Sequence, residues 1–223
     1  MDKGRNSASF GFVDFKNAFD SPSQPLISTV LNKIGVDKGV TQLIANLRSK
    51  WSVFYEVSNT DGVQRSNGLK IRNGLLQGDT LSPLLFCLLI SPISYALNRQ
   101  TAQLATFGNR SDPRNRNGHF HLIFMDDIKV VAPSKELLFQ SLKTLARVAA
   151  AIGLRLNPSK CATIHLNQGE NSIGQPMSIP TLGKAESYKY LGIHQNIQMM
   201  RRRPTLKSPQ KSLSEYEQYG TGN

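Results

Sequence analysis

Cysteine is scarce in this chain: two residues, Cys87 and Cys161, far apart and each in apolar surroundings. With no CxxC pair and no evenly spaced set, no disulfide framework or cysteine-rich zinc module is expected, and buried free thiols in a reducing compartment are. Long apolar runs are missing as well. The longest, Leu84 to Ile90, falls far short of the roughly 18–20 residues needed to span a bilayer. The opening residues Met1 to Ser9 are polar and carry no apolar signal core, so a soluble intracellular protein, in nucleus or cytoplasm, is expected. Acid is short relative to base, with 15 Asp/Glu against 27 Lys/Arg and a formal net charge of +12. Such an excess speaks to partners, not to fold. It suits a polyanion, nucleic acid first and an anionic membrane surface second. No internal repeat is visible. What is present, 223 residues of which 39% are hydrophobic, suffices for a real core in one or two domains.

Ser9 to Phe15 reads as a short strand with apolar residues on both faces and Asp14 at its end. Asp20-Ser21-Pro22-Ser23-Gln24-Pro25 is a turn and helix start. Ile27, Val30, Leu31 and Ile34 then predict one helix face, closed by Gly35, and Val40, Leu43, Ile44 and Leu47 predict a second. The period switches to two at Trp51, Val53, Tyr55 and Val57, and a turn at Asn59–Gly62 returns the chain as a hairpin. Gly74 to Asp79 is a glycine-bracketed loop. Ser82-Pro83 opens an apolar helix, with Ser as N-cap, that Pro92 should kink or end. Residues 99–118 read as a polar surface loop. Leu138, Leu142, Leu145, Ala149 and Ile152 predict a helix capped by Ser134 and stopped by Gly153. Ala162–Leu166 reads as a strand, Gly169–Gly174 as a turn, and Ser187–Ile193 as a further strand or hairpin. The order describes an α+β domain, an antiparallel sheet with helices behind it. It should occupy residues 1–198, with a basic, then polar, disordered tail over 199–223.

The stretch that organises the rest is His121 to Ala132. Asp126 and Asp127 sit side by side in the middle of an otherwise apolar segment, and a buried charge is costly without compensation. The simplest geometry is a hairpin with both acids at its tip. Asp is also a common turn residue, so the pair alone decides little. Asp14, at the end of another apolar strand, supplies a third carboxylate that neighbouring strands could bring within a few Å. Three such groups repel, and one would hold a proton unless divalent cations intervened. Magnesium prefers a few carboxylates plus substrate phosphates. Two ions about 3.5–4 Å apart would serve phosphoryl or nucleotidyl transfer, a chemistry that agrees with the basic charge, provided that the Asp14 and Asp126 carboxylates converge. His119 and His121 fit strand alternation and lack a third metal ligand.

The segment Phe12 to Asp20 resembles motif A of reverse transcriptases, the D-x-x-x-A-F-D form. Gly74 to Pro83 resembles motif B, the Q-G-x-x-x-S-P loop. Phe124-Met125-Asp126-Asp127 is a variant of the Y-x-D-D box of motif C, with Phe for the usual Tyr. Gly153 to Cys161 resembles motif D, and Tyr190-Leu191-Gly192-Ile193 the primer-grip motif E. All five stand in the family's order over roughly residues 9–195, in the flavour of non-long-terminal-repeat (non-LTR, LINE-like) retrotransposons.

The resemblance implies a polymerase palm and the roles of its residues. Asp14 and Asp126 would hold two Mg2+ ions (Mn2+ a possible substitute), with Asp127 assisting and the Phe15 carbonyl adding a ligand. Phe19 would be the steric gate that favours deoxynucleoside triphosphates. Gln77 and Gly78 would approach the nucleotide and template, and Lys160 would meet the pyrophosphate leaving group. Ser82, Pro83, Tyr190, Leu191 and Gly192 would lie along primer and template. Lys129 could screen the acidic pair or touch the primer. The implied partners are an RNA template and a DNA primer, with no membrane. Met1 stands 13 residues before Asp14, so fingers and thumb are expected to be largely missing, with any partner chain that supplies them unknown, and primer extension by the chain alone weak. A catalytically inactive remnant that only binds nucleic acid is the rival reading. An RNA-templated RNA polymerase is disfavoured by Phe19.

Overall fold

The computed structural model describes residues 8–60, 62–107, 120–166 and 178–201. In chain order the elements are β1 (Ala8–Val13), α1 (Gln24–Lys33), α2 (Lys38–Ser49), β2 (Ser52–Val53), β3 (Glu56–Asn59), β4 (Gly62–Arg65), β5 (Leu69–Lys70), α3 (Ser82–Phe107), β6 (Phe120–Phe124), β7 (Asp127–Ala132), α4 (Lys135–Ala151), β8 (Ala162–Leu166), β9 (Tyr188–Tyr190), β10 (Ile193–Gln195) and α5 (Ile197–Arg201). β1 is apolar on both faces because it is central and covered on both. The main sheet runs β6-β7-β1-β8, antiparallel throughout. One face, carrying Val13, Ile128, Val130 and Ala132, packs on α3 and α4. Leu138, Leu142 and Leu145 of α4 are fully buried there, each worth about 1.5–3 kcal/mol of burial. The other face, carrying Phe10, Phe12, Ala162 and Ile164, is covered by Tyr188, Tyr190, Ile197 and Met200. That cover does not reach β6, so Phe120, Leu122 and Phe124 stay exposed. This is the expected α+β arrangement, an antiparallel sheet backed by helices.

Several local expectations change. Pro92 does not end its helix: α3 runs through it for 26 residues. Proline strands the carbonyl four residues back, and the Ser91 hydroxyl donates to that carbonyl, Leu88 O, at 2.7 Å. The helix also continues over residues 99–107, part of the expected polar loop, whose remaining residues lie outside those described. Ser82 does not act as a side-chain cap; it is buried, and its hydroxyl donates to Asp79 Oδ2 at 3.3 Å. Around Leu84 to Ile90 burial is one-sided, with Leu84 and Cys87 exposed, so only Cys161 of the two free thiols is buried. The β2–β5 stretch forms two small sheets, β2 on β5 and an exposed β3–β4 hairpin. Most of the expected α2 stripe faces outward: Leu43 is 58% exposed, while Thr41, Ile44 and Arg48 are buried. The expected boundary at 198/199 falls inside α5. The Gly169–Gly174 turn, His119 and the rest of the tail lie outside the described residues.

One crossing sets the loop before α3. Gly74 N–H donates to Pro22 O at 2.8 Å and Leu75 N–H to Phe19 O at 2.7 Å. A Cβ on Gly74 would lie 2.6 Å from the Asp20 Cα, and its φ is +78°, so only glycine fits. Gly74→Ala should therefore cost at least about 2 kcal/mol, read as a lower midpoint in urea unfolding. An unchanged midpoint would mean that the loop can move off the turn beneath it.

Candidate functional site

The site begins with register. Val13 of β1 stands opposite Ile128 of β7, so one further residue on β1 and one back on β7 sets Asp14 opposite Asp127. Opposed residues of an antiparallel pair share a face, with Cβ atoms about 4.5–5.5 Å apart. Between β6 and β7 only Met125 and Asp126 form the turn, since Phe124 pairs with Asp127. Met125 takes φ 53°, a left-handed conformation that costs a non-glycine residue about 1 kcal/mol or more. The Asp126-Asp127 pair is thus at a hairpin tip, as its sequence setting implied. Burial, then the charges of Asp126 and Asp14, pushes the Asp127 carboxyl above its ordinary range.

Asp14 is fixed by the turn that precedes β8. Asn157 Nδ2 donates to its Oδ2 at 3.2 Å, and Asn157 N–H to its carbonyl at 2.9 Å. The Cys161 thiol sits against the same peptide, accepting from Asp14 N–H at 3.4 Å and donating to Asp14 O at 3.7 Å. With the Asp14 peptide groups directed that way, strand alternation turns the Phe15 carbonyl toward the β7 side, while the Phe15 ring is buried in the core. Lys160 ends the short 3-10 turn Pro158–Lys160 in this segment and is exposed. Tyr188 O–H donates to its carbonyl at 2.9 Å, and the Tyr188 ring stacks on Phe12 at 4.5 Å. Burial and the nearby Asp14 hold the Tyr188 phenol protonated. Asn157, Cys161 and Tyr188 had no site role in the sequence reading. The signal for Tyr188 was its place two residues before Tyr190, on the same strand face.

Asp126 lines a cleft of about 380 Å³ with Ala18, Phe19, Gln77, Gly78 and Pro83. Three separate stretches of chain meet there. The Phe19 ring is held by a stack on Phe86, 4.6 Å between centroids. Gln77 Nε2 donates to Asp20 Oδ1 at 3.4 Å. Gly78 takes φ +88° with open space beside it. Ser82 is buried beneath this cleft instead of lying on it, and Tyr190 is buried as well. Leu191 and Gly192 remain exposed at the tip of the β9–β10 hairpin. Lys129 neither screens the acids nor reaches outward. Its Nζ donates to Gln195 Oε1 at 2.7 Å and lies 5.3–5.8 Å from the centroids of the Phe10, Phe12 and Tyr190 rings. It pins the β9–β10 hairpin to the sheet. His121 Nε2 is hydrogen-bonded with Ser94 Oγ at 2.7 Å.

Asp127 feels the charges of both Asp126 and Asp14, and no cationic side chain offsets them. Among the described residues no three His, Cys, Asp or Glu side chains are grouped so as to hold a metal ion, so Asp14, Asp126 and Asp127 neighbour one another without forming the metal-sharing cluster expected from the sequence. A hard cation that takes part of its shell from phosphate oxygens suits such a donor set. Because folding raises the Asp127 pKa, its ionisation opposes the folded state. That penalty is absent below the ordinary carboxylate range and complete above the raised value. Asp127→Asn should therefore raise the metal-free melting temperature at pH 7, with the gain shrinking as pH falls toward about 4. Melts in EDTA across that range check it, and a variant no more stable at pH 7 would show the charge to be already compensated.

The family model described as Reverse transcriptase (RNA-dependent DNA polymerase) matches residues 1–195. A Retrovirus-related Pol polyprotein from the type-1 retrotransposable element R2 of Popillia japonica is 28% identical over 191 residues, covering 81% of this chain and 30% of that protein. The corresponding protein of the type-2 element R2DM of Drosophila melanogaster is 27% identical over 196 residues, covering 82% and 17%. The chain thus spans less than a third of the length of these relatives. Among solved structures, apo telomerase from Candida tropicalis superposes with a TM-score of 0.57 at 14% identity, over 74% of this chain and 29% of that one. The same telomerase truncated from its C-terminal domain gives 0.55 at 15%, over 88% and 35%. At such identities the likeness is one of fold. No helix among the described residues is long and apolar enough to cross a membrane. With the family's model matched over most of its length, the chain belongs to the reverse transcriptase family.

Proposed function

We propose that the cleft bounded by Phe19, Gln77, Gly78, Pro83 and Asp126 is a nucleotidyl-transfer site that extends a DNA primer on an RNA template, with Asp14, Asp126 and Asp127 as its metal-binding carboxylates. The observation that carries this reading is the meeting of three distant stretches of chain in one cleft at Asp126, beside an Asp127 carboxyl raised by the charges of Asp126 and Asp14. Asp14 and Asp126 would hold two Mg2+ ions, or Mn2+ in their place, with the Phe15 carbonyl as a further ligand. Bound there, the pair would supply Lewis-acid stabilisation of the attacking hydroxyl and of the departing pyrophosphate.

The remaining work falls to the chain itself. Asn157 and Cys161 fix Asp14, so that its carboxylate is aimed before substrate arrives. Phe19, immobilised by Phe86, presents a ring edge that excludes a ribose 2′-hydroxyl and selects deoxynucleoside triphosphates. Gln77 and the unobstructed Gly78 backbone face the incoming nucleotide. Lys160, exposed on the turn that holds Asp14, would give a proton from Nζ to the leaving pyrophosphate. Leu191 and Gly192, at the hairpin tip that Lys129 pins, would touch the primer, and Ser82 and Tyr190 would support these contacts from within. Likeness to Pol polyproteins of R2 retrotransposable elements supports a retrotransposon polyprotein as the setting in which this site would work.

The test is Mg2+-dependent extension of a DNA primer on an RNA template. Asp126→Asn and Asp14→Asn should each lower the rate by about 10³-fold or more, with primer–template binding retained. Salt-sensitive binding with no extension by the unsubstituted chain would instead support a protein that only binds nucleic acid. Phe19→Ala should raise ribonucleotide incorporation relative to deoxynucleotide by about tenfold or more. An unchanged ratio would remove Phe19 as the gate.

A further inference from the structure

A second cavity, of about 430 Å³, lies between the start of α1, the end of α2 and β5, lined by Gln24, Arg48, Ser49, Lys70 and Arg72 among others. Three of its lining residues are cationic and none is acidic. Arg48 is 6% exposed, turned inward while Leu43 and Leu47 of the same helix face solvent. One end of its guanidinium donates to Gln24 O and the other to Ser28 Oγ at 2.8 Å. Nε–H is buried without a partner. All its partners are neutral, and burial is the cause that lowers its pKa, with no carboxylate acting on it. A guanidinium taken out of water with no counter-charge carries a desolvation penalty that an anion would offset.

The surroundings hold the cavity open and aim it. Gln24 Nε2 donates to Ile71 O at 3.1 Å, and Ser23 bridges Asn73, which fixes the Lys70–Arg72 stretch against the start of α1. Lys70 and Arg72 remain exposed at the rim. Two residues beyond Arg72 begins the Gly74–Gly78 loop that walls the candidate cleft. A buried guanidinium with no counter-charge beneath two flexible cations suits a phosphate group.

We infer that this cavity takes a backbone phosphate of the nucleic-acid strand that runs past the cleft, with Lys70 and Arg72 as its outer contacts and Arg48 as its floor. The choice of a nucleic-acid phosphate over a free one rests on the function proposed above. The site belongs to binding, not to chemistry, and is independent of the carboxylates.

The experiment is fluorescence anisotropy of the full chain with a labelled primer–template, in EDTA and without nucleotide, over a salt series. The double variant Lys70→Ala/Arg72→Ala should lose about tenfold or more in affinity and lower the salt slope by about one to two, with its melting temperature unchanged. The control Lys143→Ala/Arg147→Ala removes the same charge from another cavity and should lose less than about threefold. Equal losses for the two pairs, or none for the first, would overturn the site. Stabilisation by inorganic phosphate that disappears in Lys70→Ala/Arg72→Ala, with primer–template affinity intact, would overturn the nucleic-acid assignment in favour of a free phosphate. A chain that fails to extend a primer yet shows the tenfold loss leaves this site standing without the polymerase reading.

Discussion

The pairing of β1 between β7 and β8 is the constraint on which everything at the site depends. It is a matter of register: a strand slipped by one residue would send each of its side chains to the opposite face. With Val13 opposite Ile128, the apolar residues of both strands enter the helix-backed core and the next pair outward is Asp14 and Asp127. The burial that stabilises the sheet is thus the same thing that brings two like charges together. Like charges in that position destabilise, and the fold tolerates them because the remaining side chains of the strands leave no alternative register.

Around that pair the chain uses backbone contacts more than side-chain contacts to place its parts. Asp14 is held through its own peptide by Asn157 and Cys161. The loop carrying Gln77 is held by Gly74 and Leu75 against the carbonyls of Pro22 and Phe19. The Lys160 carbonyl accepts from Tyr188. Contacts of this kind set where a side chain starts without spending the side chain itself, so that Lys160 and part of the Asp14 carboxylate remain available for ligands, while Gln77 reaches Asp20.

The α+β class, the central strand, α4 with its cap and stop, and the hairpin with acids at its tip were legible because periodicity and turn residues report local geometry directly. The family motifs named Phe19, Gln77, Gly78 and Asp126, and these meet in one cleft. What could not be read depended on partners far along the chain. The α2 stripe failed because Arg48 finds Gln24 and Ser28 on α1, a pairing that spacing within α2 cannot reveal. Pro92 failed as a breaker because its neighbour Ser91 replaces the missing bond. Lys129 meets Gln195 and aromatic rings of β1 and β9, partners that its place beside the acidic pair does not reveal. Asn157 was quoted within a motif, yet its grip on Asp14 spans 143 residues.

The uninterrupted run of α3 has a mechanical side. At about 1.5 Å per residue its 26 residues make a rod of about 39 Å, with Pro83 at one end in the cleft wall and Phe107 at the other. A proline in the middle would ordinarily make such a rod two segments with a joint. Because Ser91 bonds the carbonyl that Pro92 leaves open, that acceptor is not stranded, and one continuous helix links the cleft wall at Pro83 to residue 107.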